Sequence, residues 1–222
     1  MTLTECRNLT RLYSRLATTS IDTDNVDLFI AHNEVGLAID LIEMNPSLAA
    51  QYEDVTWPSG YNKKQLTSAF LTTAMGASDS VYKVLMVASR SGTGMSAAKY
   101  LYSAATMPEL SGDGILEQRS ETFATSTRWH FDGDYLWMYP CPMSSEDLTI
   151  AVVLTPIAQD TAGDDMLEQF NEAGKVFSEG IAIRAAYDLR ASLGYDLEWI
   201  AAKKVEFEQR LANAMVSMWK NP

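Results

Sequence analysis

Two histidines, His32 and His130, are all that the sequence offers for imidazole acid–base or nucleophilic chemistry. His32 falls inside a helical pattern and His130 inside a strand pattern, so each is expected to be a structural or surface residue. Arg90-Ser91-Gly92-Thr93-Gly94-Met95-Ser96 has the look of a phosphate loop, yet it lacks the spacing and the lysine of GxxxxGK[ST] and is expected to be a flexible connection. Paired carboxylates at Asp22/Asp24, Asp132/Asp134, Asp164-Asp165 and Glu206/Glu208 are of the type that hydrolyses glycosides or holds a cation. Each has a structural account instead: the first beside a helix cap, the second around a turn, the third ahead of a helix, where negative charge is favoured. Cys6 and Cys141 lie far apart and form no CxxC pair, so they are expected to be reduced, partly buried thiols, with no zinc site. What remains is the alternation Tyr135, Trp137, Tyr139, which puts three rings on one face of a strand. Such a face can stack bases or sugars, pack on a core, or meet a partner. No cofactor, metal or catalytic set is expected.

The composition sets the frame for these residues. A chain of 222 residues with 47% hydrophobic content is enough for one domain, or for a core carrying one inserted subdomain. It carries 17 basic against 29 acidic residues, a formal net charge of −12. Its longest basic runs are the pairs Lys63-Lys64 and Lys203-Lys204, so no basic face for nucleic acid is evident. No stretch of eighteen apolar residues suggests a membrane span, and the amino-terminal residues lack a signal pattern; a protein made and kept in a cytoplasm is expected.

The elements that position these residues follow from periodicity and breakers. Thr2 and Glu5 have capping-box spacing ahead of Leu9, Leu12, Tyr13 and Leu16, which predicts a first helix. A polar turn over 18–24 leads to a second helix with Leu28, Ala31, Val35, Ala38, Ile39 and Ile42 on one stripe, stopped by Asn45-Pro46. Between Tyr52 and Pro156 lie Pro58, Pro108, Pro140, Pro142 and Pro156, together with β-branched and aromatic runs. Strands are predicted at 81–88 and 148–154, with a hairpin from Arg128 to Tyr139 turning at Asp132-Gly133. Helix returns from Ala173 to Leu193, with Phe177, Ile181, Ala185 and Leu189 on one side and Gly194 ending it. A last helix spans Leu197 to Met218, with Ile200, Phe207, Leu211, Ala214 and Met218 inward. The expected fold is α+β: a helical bundle of two amino-terminal helices (1–50) and two carboxy-terminal helices (159–222), interrupted by an antiparallel β-rich subdomain (51–158). Trp219, close to the chain end, is either tucked onto its own helices or offered to a partner. With Tyr135, Trp137 and Tyr139 it completes the candidate interface residues.

The stretch Thr127 to Pro142, the strand from Asp147 to Pro156 and the helix around Ile181 to Tyr187 resemble the head-to-tail adaptor (connector) proteins of tailed bacteriophages, including the tail tubular protein A type. Trp129, Gly133, Leu136, Pro140 and Pro142 match an aromatic hairpin pattern, Leu148 to Leu154 with Pro156 a following strand, and Ala185, Ala186 and Leu189 a small-residue helix face. Leu154-Thr155 departs from it where an aromatic is common, and the region from Tyr61 to Pro108 aligns with nothing.

This resemblance implies a virion structural protein and not an enzyme. The chain would form a ring, typically dodecameric, between the portal protein and the downstream tail or nozzle protein, extending the channel through which DNA passes without specific binding. Two other readings of the residues remain: a monomeric binding module whose aromatic strand face takes a carbohydrate or peptide, and a small hydrolase using carboxylates.

Overall fold

The computed structural model describes residues 1–16, 22–72, 74–76, 79–90, 98–104 and 127–220. The chain is mixed α+β and divides into two compact units, one from Met1–Leu48 with Pro156–Pro222 and the other from Ala49–Thr155.

The first unit holds helices α1 (Leu3–Ser14), α2 (Thr23–Met44), α3 (Asn171–Phe177), α4 (Glu179–Ser192) and α5 (Glu198–Lys220). The capping box predicted at Thr2 is formed: the Glu5 N–H donates to Thr2 Oγ1 at 3.3 Å and the Thr2 N–H to Glu5 Oε2 at 2.8 Å. Asp22 caps α2, and α2 stops at Met44 as Asn45-Pro46 requires. Of the predicted polar turn, residues 18–21 lie outside the described residues.

The apolar stripe expected for α1 is out of phase with the buried one, and that of α2 is so in its first half, while its Ala38 and Ile42 are buried as expected. Leu12 and Leu28 are 67% and 68% exposed, while α1 buries Leu3, Cys6, Thr10 and Ser14 and α2 buries Val26, Ile30, Asn33, Glu34, Leu37 and Leu41. The reason lies in what they pack on. Helix α4 lies against α1, α2 and α5, and its buried side includes Ala182, Ala185 and Ala186. Small residues on both sides of the α1–α4 contact let the helices approach closely, so α1 turns its small face inward and leaves Leu12 outside. On α2, the polar residues turned inward are satisfied. Asn33 Nδ2 donates to Asp188 Oδ2 at 2.8 Å, and Glu34 accepts the Gln159 and Leu167 N–H groups at 2.9 and 3.0 Å.

Two fixings tie α4 to its neighbours. Arg184 donates to Asp40 of α2 at 2.7 Å and forks onto both oxygens of Glu208 of α5 at 2.8 and 2.9 Å. Gly180 lies under Phe207 so closely that a Cβ there would stand 1.9 Å from the ring's Cζ. The single helix expected from Ala173 to Leu193 is two, α3 and α4, meeting at Ser178. The Ser178 hydroxyl donates to the Lys175 carbonyl at 3.2 Å, a back-bond that competes with the helical ladder. Gly194, at φ +70°, follows the end of α4 as expected.

The second unit contains two four-stranded sheets. One has the order β1 (Gln51–Trp57), β8 (Glu146–Leu154), β3 (Val81–Arg90), β4 (Ala98–Leu101); the other β2 (Lys63–Gln65), β7 (Tyr135–Tyr139), β6 (Arg128–Asp132), β5 (Ser103–Ala104). The predicted strands at 81–88 and 148–154 are β3 and β8, antiparallel neighbours. The short strands β1, β2, β4 and β5 lacked an alternating signal, and β5 pairs with β6 in parallel, so the sheet is not wholly antiparallel as expected. Inward residues of both sheets share one core: Val55 and Trp57 from β1, Val84 and Val87 from β3, Ile150 and Val152 from β8, and Trp129, Leu136 and Met138 from β6 and β7.

The hairpin turns one residue later than predicted. Asp132 pairs with Tyr135, so Gly133-Asp134 is the two-residue loop. Gly133 has φ +60° and Asp134 does not share the positive φ, which fits a II′-type turn and not the I′ turn that Asp-Gly at the two loop positions would favour.

Candidate docking surface

The β7 backbone sorts its side chains by parity. Leu136 and Met138 are fully buried, so Tyr135, Trp137 and Tyr139 must point to the opposite face. Tyr135 is 40% exposed and the other two rings are half-buried. Trp137 and Tyr139 lie nearly parallel, with 8° between their planes and 6.5 Å between centroids.

Register supplies the neighbours of these rings. Lys63 of β2 and His130 of β6 flank Trp137, Gln65 and Asp132 flank Tyr135, and Arg128 sits opposite Tyr139. The Lys63 ammonium stands 5.3 Å from the Tyr135 ring centre and 5.1 Å from that of Trp137, within cation–π range of both. Asn62 Nδ2 donates to the Tyr139 hydroxyl at 3.4 Å. Burial pushes the Tyr139 phenol up, against the lowering effect of that hydrogen bond. The surface is therefore a stripe of three rings with a cation on either side, Lys63 and Arg128. Neither cation forms an ion pair among the described residues.

The hairpin residues singled out by the resemblance build the support for this stripe. The buried Trp129 donates its indole N–H to the Tyr102 carbonyl at 3.0 Å. Leu136 fills the core, Gly133 makes the turn, and the Pro142 carbonyl accepts the Gly60 N–H at 2.8 Å. The Tyr139–Pro140 peptide is cis.

The sequence matches no protein-family model and no curated protein.

Trp219, expected to join the interface residues, belongs to α5 in the helical unit, and its side chain lies outside the described residues. The structure thus brings three of the four candidates together. It adds Lys63 and Arg128, which sequence reasoning missed: Lys63-Lys64 stood out as a basic pair, but only the β2–β7 register places Lys63 beside the rings.

The remaining chemistry-bearing residues are dispersed. His32 is exposed on α2, and residues 91–97 of the glycine-containing loop lie outside the described residues. Asp22 is a cap, Asp132 precedes the turn and Asp134 lies in it, and Glu208 is the Arg184 partner. Asp164-Asp165 does not sit directly ahead of a helix: the Asp164 carbonyl accepts the Leu3 N–H at 3.1 Å, and Asp165 bridges to Thr2. Cys6 is buried and Cys141 exposed. Burial pushes the Cys6 thiol up to about 12, opposed by its hydrogen bond with Thr10. Among the described residues no group of three His, Cys, Asp or Glu could hold a metal ion, and no helix is long and apolar enough to cross a membrane.

The helical unit carries a second aromatic–cation set. Arg15 lies 4.0 Å over Trp199, Lys203 is 4.9 Å from the Tyr13 ring, and the Trp199 indole donates to the Tyr13 carbonyl at 3.3 Å. Tyr13 also donates its hydroxyl to Glu179, and burial, with that carboxylate, pushes its phenol up to about 12. Every member of this set is engaged within the unit, which fastens α5 to the end of α1. An open groove of about 460 Å³ on α4 and α5, bordered by Tyr187, Lys204, Val205 and Ala212, is mostly apolar.

Proposed function

We propose that this chain is a structural virion protein: a head-to-tail adaptor that assembles as a ring between portal and tail and prolongs the DNA channel. The observation that carries the reading is the hairpin. The residues by which it resembles connector proteins (Trp129, Gly133, Leu136, Pro140, Pro142) serve as scaffold, and what they present is an aromatic stripe on a stiff strand. Aromatic anchors on a rigid element are what a subunit held against other proteins needs. In this reading the helices act as a bundle that packs beside its neighbours, the β unit offers its stripe to a protein surface, and Trp219 is a further contact. The protein has no catalytic role and needs no cofactor. The surroundings are the virion, after assembly in the host cytoplasm. A net charge of −12 per copy suits a channel along which DNA slides without adhering.

Negative-stain electron microscopy of the chain, alone and mixed with a purified portal, tests this. Rings, or added density at one end of the portal, are the expected outcome. A chain that stays monomeric in both conditions refutes the adaptor and leaves a monomeric binding module for carbohydrate or peptide.

A further inference from the structure

We infer that the outward face of β2–β7–β6 is one half of a head-to-tail contact, docking onto the acidic surface of a second copy of this chain. This rests on the adaptor reading in requiring self-assembly, and goes beyond it in naming the surface, its partner and the sign of the interaction.

Three observations on this face lead there. The rings of Tyr135, Trp137 and Tyr139 are forced outward because Leu136 and Met138 are committed to the core. Lys63 and Arg128 flank them without a carboxylate partner among the described residues. Elsewhere Arg7 pairs with Asp27, Arg90 with Asp54, and Arg184 with Asp40 and Glu208. With Lys63 and Arg128 against the one carboxylate of Asp132, the face carries net positive charge on a negative molecule, and opposite-sign juxtaposition fixes partner and register.

The greater part of the carboxylates lies in the segments 1–48 and 156–222, with Asp160, Asp165 and Glu168 exposed on the connection that leads into α3. The two halves of the contact are therefore different surfaces. Contacts of this heterologous kind do not stop at a dimer: they run on from copy to copy and close into a ring when the rotation allows. A two-fold contact through the stripe alone would instead bring Lys63 and Arg128 of both copies together, like charge against like.

Sedimentation velocity of the full chain over a wide concentration range, at low and high sodium chloride, reads this out. Self-association at low salt should weaken as the salt rises, because the charges are exposed and screened. In the Lys63→Glu/Arg128→Glu double variant it should weaken about ten-fold or more, since like-charge apposition in an interface costs several kcal/mol. Trp137→Ala should weaken it without reversing any charge. A mixing experiment separates a head-to-tail contact from a two-fold one. The double variant keeps its acidic half, so added to wild type it should cap growing assemblies and yield short species; in a two-fold contact its carboxylates would face the wild-type Lys63 and Arg128, and mixed dimers would form more readily than either protein pairs with itself.

Assembly that ignores all these substitutions, or wild-type chain that stays monomeric throughout, overturns the inference. Rings that form regardless of the variants overturn the docking surface alone and leave the adaptor standing. Binding of a single-stranded oligo(dT) that the same substitutions abolish, in a chain that does not self-associate, would reassign the face to nucleic acid.

Discussion

Gly180 is the point at which the helical unit has least room to yield. An alanine there places its Cβ 1.9, 2.3 and 2.6 Å from Cζ, Cε1 and Cε2 of Phe207, where contact normally begins above 3.4 Å. Two effects oppose each other in Gly180→Ala. Helix propensity favours alanine by about 1 kcal/mol in a helix interior. Against it, the ring must swing away by more than an ångström within a core where Phe207 is 3% exposed, and overpacking of this kind costs about 1–3 kcal/mol, sometimes more. Losing the burial of the ring altogether would forfeit about 1.5–3 kcal/mol. The steric term offsets or exceeds the propensity gain, and the variant should be destabilised by up to about 2 kcal/mol net of propensity.

Urea unfolding followed by the far-ultraviolet circular dichroism of the helices measures this. A second substitution, Phe207→Leu, removes the atoms in conflict. Gly180→Ala should then cost less in the Phe207→Leu background than alone, with a coupling of about 1 kcal/mol. If Gly180→Ala instead stabilises the protein by the full propensity gain, Phe207 does not cover Gly180 and the α4–α5 contact described here is wrong.

Further expectations concern the polar groups. Arg184→Met leaves Asp40 and Glu208 without their shared cation; because those carboxylates are 43% and 38% exposed, the cost should lie between surface and buried pairs, about 1–2 kcal/mol by urea unfolding. Glu34 has its carboxyl raised by burial, against the pull of the Gln159 and Leu167 N–H groups. Its proton-linked stability is fully present below the unfolded glutamate value of about 4.3 and is lost as the pH rises through the higher folded value. The stability gap between wild type and Glu34→Gln should therefore narrow on going from acid to neutral pH, and a gap that widens would contradict the burial of Glu34. Iodoacetamide should modify one thiol, Cys141, in the native protein and reach Cys6 only on unfolding, as peptide mass mapping would show.

Much of this fold could be read where local chemistry decides it. The Thr2/Glu5 box, the Asn45-Pro46 stop, the aromatic hairpin, the strands at 81–88 and 148–154 (each two residues longer in the fold) and the Gly194 terminator all act through neighbouring residues. The phase of α1 and of the first half of α2 was lost because their buried faces are chosen by what they meet, whereas Ala38 and Ile42 of α2 lie inward as the stripe requires. Cys6, Thr10 and Ser14 go inward for their size, and Asn33 and Glu34 for partners more than a hundred residues away in the chain. The break at Ser178 and the closeness of Gly180 to Phe207 are likewise tertiary. In the candidate surface, period two was enough to put Tyr135, Trp137 and Tyr139 on one face. That Lys63 and Arg128 frame them needed the cross-strand register, and β2 is a three-residue strand with no pattern of its own.

The central claim is assembly, and mass photometry of the purified chain with and without a portal tests it most directly. The adaptor account predicts discrete species of many copies, or a fixed number of copies added to each portal. A single peak at the monomer mass, unchanged by portal, would contradict it.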